Sequence, residues 1–178
     1  NIMYEKVLIE DAYVNEFLAK QSQKWGRAFV ASEVLYLCIS ESADKYMEYV
    51  REDHGQEVSF LFCALKNIHG RALQIYLEIM CLNKNGFADG AYARWRSLYE
   101  LSVISEFISM YGEKVAEAFV KSADTDDRYE WARTARCFKN YRTDRNITFD
   151  TIQSKCKIVT KEWRKEYSFA CKLVHASS

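Results

Sequence analysis

The sequence predicts an all-α fold, a helical bundle, on three observations. Prolines are absent and glycines number six, so both helix breakers are scarce. Apolar residues recur at spacings of three and four along most of the 178-residue chain. No alternating run is long enough to read as a strand, and no internal repeat or low-complexity tract appears.

Taken in order, residues 4–21 carry Tyr4, Val7, Leu8, Ala12, Val14 and Phe17 in a loose amphipathic pattern. Trp25 and Gly26 interrupt it. A second helix is expected over 27–52, through Phe29, Val34, Leu37, Tyr46, Met47 and Val50, and "EDHGQE" then turns the chain at Gly55. Residues 57–84 hold the cleanest pattern, from Val58 and Leu61 through Ile75 to Leu82. "NKNG" closes that helix, because asparagine and glycine tolerate the left-handed exit.

Asp89 is the expected N-cap of the next helix, 90–111, which Gly112 stops. Shorter helices are expected at 113–122 and 126–138. "KNYRTDRNITFD" reads as a surface loop; Thr148 or Asp150 then caps a helix to about Thr160, and 162–175 forms the last one. The architecture expected is one domain over 1–178. It comprises N-terminal helices over 1–55 and a core over 57–178 built on two long antiparallel helices, 57–84 and 90–111. Their short connection makes them neighbours.

Composition excludes several classes. A chain of this size buries roughly 70% of its unfolded surface, enough for a core without staples. Lys plus Arg equals Asp plus Glu at 25 each, so net charge exerts no long-range pull on nucleic acid or membrane. Five arginines and Lys139 gather between Arg128 and Arg145, diluted by Glu130 and Asp144. A solvated helix face is the plainer reading of that stretch; an RNA contact, with Phe138 and Tyr141 stacking on bases, is the sharper one. The six cysteines form no CxxC pair and none stands beside a histidine at ligand spacing. Reduced thiols, a cytoplasmic location and no metal or other cofactor are the expectation. No signal peptide and no membrane-length apolar run is visible. Walker, Rossmann and nucleophile-elbow patterns are missing, as is the Glu-x-x-His repeat of di-iron bundles.

The polar residues inside apolar helices are the places for chemistry. Arg96 and Glu100 are four apart on one stripe of helix 90–111, while Arg94 lies on another. Asn67, Arg71, Gln74 and Glu78 line a polar stripe of the preceding helix, so Arg71 or Glu78 is expected to meet Arg96 or Glu100. Charges buried singly cost several kcal/mol, so these should be paired or stand at a cleft. They form either a buried ion-pair network that fixes helix register, or a pocket in which arginine clamps an anion. His69 reads as a core histidine. Tyr167 and Cys171 share one face of the last helix. His175, at its end, either caps the helix or serves as acid or base, because imidazole titrates near neutrality.

Two stretches, "GRALQIYLEIMCLNKNGFADGAYARWRSLYELSVISEFI" and "YSFACKLVHASS", resemble the bacterial and archaeal domain-of-unknown-function family numbered 5677. The resemblance covers roughly residues 60–178. It rests on Arg71, Glu78, Gly86, Gly90, Ala91, Arg96, Leu98, Glu100 and His175. All-α domains of this look are similar to HEPN ribonucleases, which use Arg-x4–6-His. Here Arg164 precedes His175 by eleven residues and Arg51 precedes His54 by three, so such a site would need separate helices, for example Arg96 with His175.

Two functions are therefore expected. One is an interaction or ligand-sensing module, with exposed aromatic faces that form a homodimer and, by analogy, a role in stress or phage defence. The alternative is a metal-independent ribonuclease with RNA as partner: His175 as acid or base, Arg96 as phosphate clamp, Glu100 orienting the arginine.

Overall fold

The computed structural model of the chain describes residues 2–52, 59–124, 128–142 and 144–174. Its helices are α1 (Ile2–Glu52), α2 (Phe60–Lys84), α3 (Ala88–Tyr111), α4 (Glu113–Lys121), α5 (Phe149–Gln153) and α6 (Lys161–Val174). Among the described residues there is no strand.

α1 is one continuous helix where two were expected. Trp25 and Gly26 do not break it, because a single glycine costs only about 1 kcal/mol inside a helix. Its half-buried positions, Leu18, Gln21, Gly26, Phe29, Ser32, Tyr36, Ser40, Ala43, Met47 and Val50, form one stripe laid on α2. Tyr76 of α2 donates a hydrogen bond to the Ser32 carbonyl at 3.2 Å, and its ring stacks on Tyr36. Val34, Leu37 and Tyr46 of the predicted apolar pattern stay exposed. So does every residue from 2 to 17.

α2 starts at Ser59, whose hydroxyl accepts from the Phe62 amide at 3.1 Å. A second cap comes from far away. The Glu113 carboxylate, at the start of α4, accepts from the Phe60 and Leu61 amides at 2.6 and 3.1 Å. A carboxylate there also suits the positive end of the helix dipole. The exit of α2 matches expectation. Gly86 takes φ +81°, the Phe87 amide returns to the Leu82 carbonyl at 2.8 Å, and α3 begins antiparallel to α2. Asp89 is not the N-cap; Phe87 holds that position, and Asp89 sits in the first turn, where its charge still favours the dipole.

The core lies where α2, α3, α4, α5 and the segments 128–142 and 144–148 meet. Phe107 of α3 is fully buried, with Tyr111, Trp131 and Phe138 at ring-centroid distances of 4.6, 5.9 and 5.8 Å. The helix expected over 126–138 does not form in its described part. Residues Glu130–Thr134 and Arg136–Phe138 are short 3-10 turns instead. Ala132, Ala135 and Phe138 are all buried, and Ala135, extended between the two turns, redirects the chain so that each turn presents its apolar side to the core.

Glu130 and Arg133 stitch the following loop to these turns. The carboxylate accepts from the Arg133 Nε at 2.7 Å and from the Ile147 amide at 3.2 Å, and Arg133 donates to the Arg145 carbonyl at 3.0 Å. Thr148 caps α5, but α5 ends at Gln153, short of Thr160. The amides of Lys157 and Ile158 turn to the Glu106 carboxylate of α3, at 2.8 and 3.1 Å, rather than to a further helical turn. α6 then packs along α3, with Ala170 fully buried.

Candidate functional site

Between α3 and α6 one carboxylate gathers three groups. Glu100, 9% exposed, faces α6 because it follows Arg96 by one helical turn on the α3 stripe that α6 covers. Its Oε1 accepts from the Tyr167 hydroxyl at 2.7 Å and forms an ion pair with Arg96 Nη2 at 3.1 Å. Its Oε2 lies 3.5 Å from Arg128 Nη2, which reaches in from the turn before the 3-10 segments. The Arg96 guanidinium also lies over the Tyr167 ring, 5.8 Å from its centroid.

Burial alone would lower the Arg96 pKa. The hydrogen bond with Tyr167 and the charge of Glu100 override it and hold the guanidinium charged. Burial, then the bond to Glu100, push the Tyr167 phenol upward. Beneath this cluster Tyr99 donates to Gln153 Oε1 at 2.9 Å, and its ring packs between Tyr167, Trp95 and Phe149. Trp95 stacks on the half-exposed Trp163 of α6, 5.8 Å between centroids.

Two guanidiniums thus converge on one carboxylate. Arg96 is mostly enclosed, with 22% of its side chain exposed, whereas Arg128 stands at the rim with 72% exposed. The Nε of Arg96 is buried without a hydrogen-bond partner. Positive charge and donors exceed what Glu100 can satisfy, which suits the rim to an anion.

The other predicted residues fall elsewhere. Arg71 and Glu78 do not reach Arg96 or Glu100. Arg94 and Arg96 are two residues apart, about 200° around the helix. α3 therefore turns Arg94 toward α2, where it pairs with Glu78, and turns Arg96 toward α6. Arg71 is exposed and donates to Gln74 of its own helix at 2.8 Å. His69 is half-buried, its Nε2 enclosed without a partner. His175, like His54 and Gly55, lies outside the described residues.

The basic stretch is less free than its sequence suggests. Arg133 pairs with Glu130, Arg142 with Asp144 at 2.6 Å, and Arg136 lies over the Tyr111 ring. Phe138 is buried and cannot stack on a base, while Tyr141 is half-buried under Arg133. The partnership of Arg128 with Glu100 had no local signal: the two are 28 positions apart in sequence, in different elements.

All six cysteines are free thiols, Cys38 and Cys81 at exposed positions. Among the described residues no group of three or more His, Cys, Asp or Glu is placed to hold a metal ion, and no helix is long and apolar enough to cross a membrane.

Comparison with known proteins gives one match. A family model described as "Family of unknown function (DUF5677)" aligns with residues 62–170, the span from the first turn of α2 to Ala170 of α6. No curated protein and no solved structure matches the chain.

Proposed function

Since the chain belongs to this family of unknown function, which brings no activity with it, we propose from the site alone that it is a ligand-binding module for a phosphate-bearing anion. The observation that carries the reading is the convergence of Arg96 and Arg128 on the single carboxylate of Glu100. Glu100 and Tyr167 hold Arg96 in place, and Arg128, exposed at the rim, closes on the anion as a second donor. The aromatic row ending at Trp163 offers a flat surface beside it for the apolar part of the ligand.

The wider reading goes with this site: a sensing or interaction module that acts in the cytoplasm as a homodimer, with stress or phage defence as its setting by fold-level analogy. The exposed length of α1 is the place for self-association. The ribonuclease alternative, with His175 as acid or base and Arg96 as phosphate clamp, needs a residue outside the described ones. No observation favours it over plain binding.

Titration with a phosphate monoester, read by the fluorescence of Trp95 and Trp163, tests the proposal. Saturable binding is expected, weakened about tenfold by Arg128→Ala, the loss of one charge-assisted contact. Thermal unfolding of that variant should be unchanged, since its side chain is mostly in solvent. Absence of saturation up to roughly 10 mM ligand overturns the site. Cleavage of RNA in EDTA, abolished by His175→Ala, overturns it in favour of the nuclease.

A further inference from the structure

α1 presents a second stripe, opposite the one laid on α2. Ile2, Ile9 and Glu16 follow one another at intervals of seven, and so do Lys20, Arg27 and Val34. All six are exposed. Leu18, the first residue of the stripe on α2, lies midway between the two triplets and on the other side of the helix. The Phe17 ring packs at Gly86, in the α2–α3 turn, where an added Cβ would lie 2.5 Å from two of its carbons. Residues 2–16 thus run on for about 22 Å as exposed helix beyond that turn. A helical segment of that length is marginal in water on its own, and this one exposes Ile2 and Ile9 on that stripe.

Its charge is segregated. Residues 2–16 hold Glu5, Glu10, Asp11 and Glu16 against Lys6, while residues 20–27 hold Lys20, Lys24 and Arg27 and no acid. Glu16 and Lys20 pair with each other along the helix, 2.6 Å apart and both well exposed, so each is open to a second partner.

Resting on the homodimer part of the proposed function, we infer that α1 pairs antiparallel with α1 of a second copy, centred on residue 18. In that register Glu16 faces the second copy's Lys20, Ile9 lies along the stem of its Arg27, and Ile2 meets its Val34. The two-fold symmetry makes each contact twice. The acidic third of each helix lies on the basic third of the other, whereas a parallel pair would set like charges together. Because the stripe faces away from α2, the two bodies sit on opposite sides of the helix pair. The overlap is about 50 Å long and about 10 Å wide, which buries about 1,000 Å² in total, the lower end of specific interfaces. A weak dimer, dependent on concentration, is the consequence.

Light scattering after size exclusion, over a roughly hundredfold concentration range, reads the mass. The wild-type chain should pass from monomer to dimer. Glu16→Lys alone and Lys20→Glu alone should each raise the dissociation constant about tenfold, with helicity measured by circular dichroism in the monomer unchanged. The double variant, with the charges exchanged, should dimerise like wild type. A chain that stays monomeric at every concentration overturns both the homodimer and this pairing. A dimer that ignores the single exchanges leaves the homodimer standing and overturns the antiparallel register.

Discussion

The hydroxyl of Tyr167 on α6 donates to the carboxylate of Glu100 on α3 at 2.7 Å, across 67 residues of sequence. This bond, with the Arg96 ion pair on the same oxygen, ties the last helix to the centre of the bundle. Tyr167→Phe should cost about 1.5–3 kcal/mol in urea unfolding, the worth of a hydrogen bond to a charged group. Glu100→Ala should cost about 1–3 kcal/mol by stripping Arg96 of its counter-charge; partial exposure of that arginine keeps the figure below that of a fully buried pair. Glu100→Gln should fall between wild type and Glu100→Ala. Equal stability of all four proteins would show that the cluster contributes nothing to the fold.

Phe107 is fully buried and enclosed by three aromatic rings. Phe107→Ala is expected to destabilise by about 3–5 kcal/mol, as a core cavity does. Near-ultraviolet circular dichroism should report the loosening of Trp131 and Tyr111. A cost under about 1 kcal/mol would mean that the core collapses freely around the gap.

The Glu113 carboxylate serves the first two amides of α2, 53 and 52 residues earlier. Its removal by Glu113→Ala should cost about 0.5–2 kcal/mol, the range for an N-terminal cap. Faster amide hydrogen exchange should appear first at Phe60 and Leu61. Unaltered protection there would show that Ser59 alone caps the helix.

Stability should respond to pH at both ends. The hydrogen bond from Arg133, aided by the Ile147 amide, holds the Glu130 carboxyl below its ordinary value. Its contribution is complete above the unfolded carboxyl value of about 4.3 and is lost as pH falls through the lower folded one. At the alkaline end, burial and Glu100 raise the Tyr167 pKa, and burial raises that of Tyr129. Their contribution is complete below the unfolded phenol value of about 10 and is lost as pH rises beyond it. Denaturation midpoints taken across pH should fall at both ends. Glu130→Gln should flatten the acid limb and Tyr167→Phe the alkaline one.

The helices with strong apolar periods were legible from residue spacing. α2, α3, α4 and α6 begin and end within a few residues of where the pattern puts them, since their breaks at Gly86 and Gly112 are positive-φ positions that glycine accepts without strain. The segment from Glu130 to Phe138 misled. Its apolar spacing is compatible with a helix, but only the surrounding core decides that two short turns joined by an extended Ala135 bury Ala132, Ala135 and Phe138 together. α5 was likewise cut short by the Glu106 carboxylate, a partner about 50 residues away.

The candidate site was half legible. Arg96, Glu100 and Tyr167 stood out as polar groups on helices that otherwise bury apolar ones. The choice of partners did not, because helix rotation about a shared axis turns Arg94 and Arg96 to opposite neighbours. By itself the amino-acid order determined an all-α chain, the two long neighbouring helices α2 and α3, and the presence of ionisable groups within them, all through local propensity and period. Only the tertiary structure decided that Glu100 answers to Tyr167 and Arg128 rather than to Arg71 or Glu78. Local spacing sets the direction in which a side chain leaves its own helix; what it meets there depends on which other helix the whole fold brings alongside.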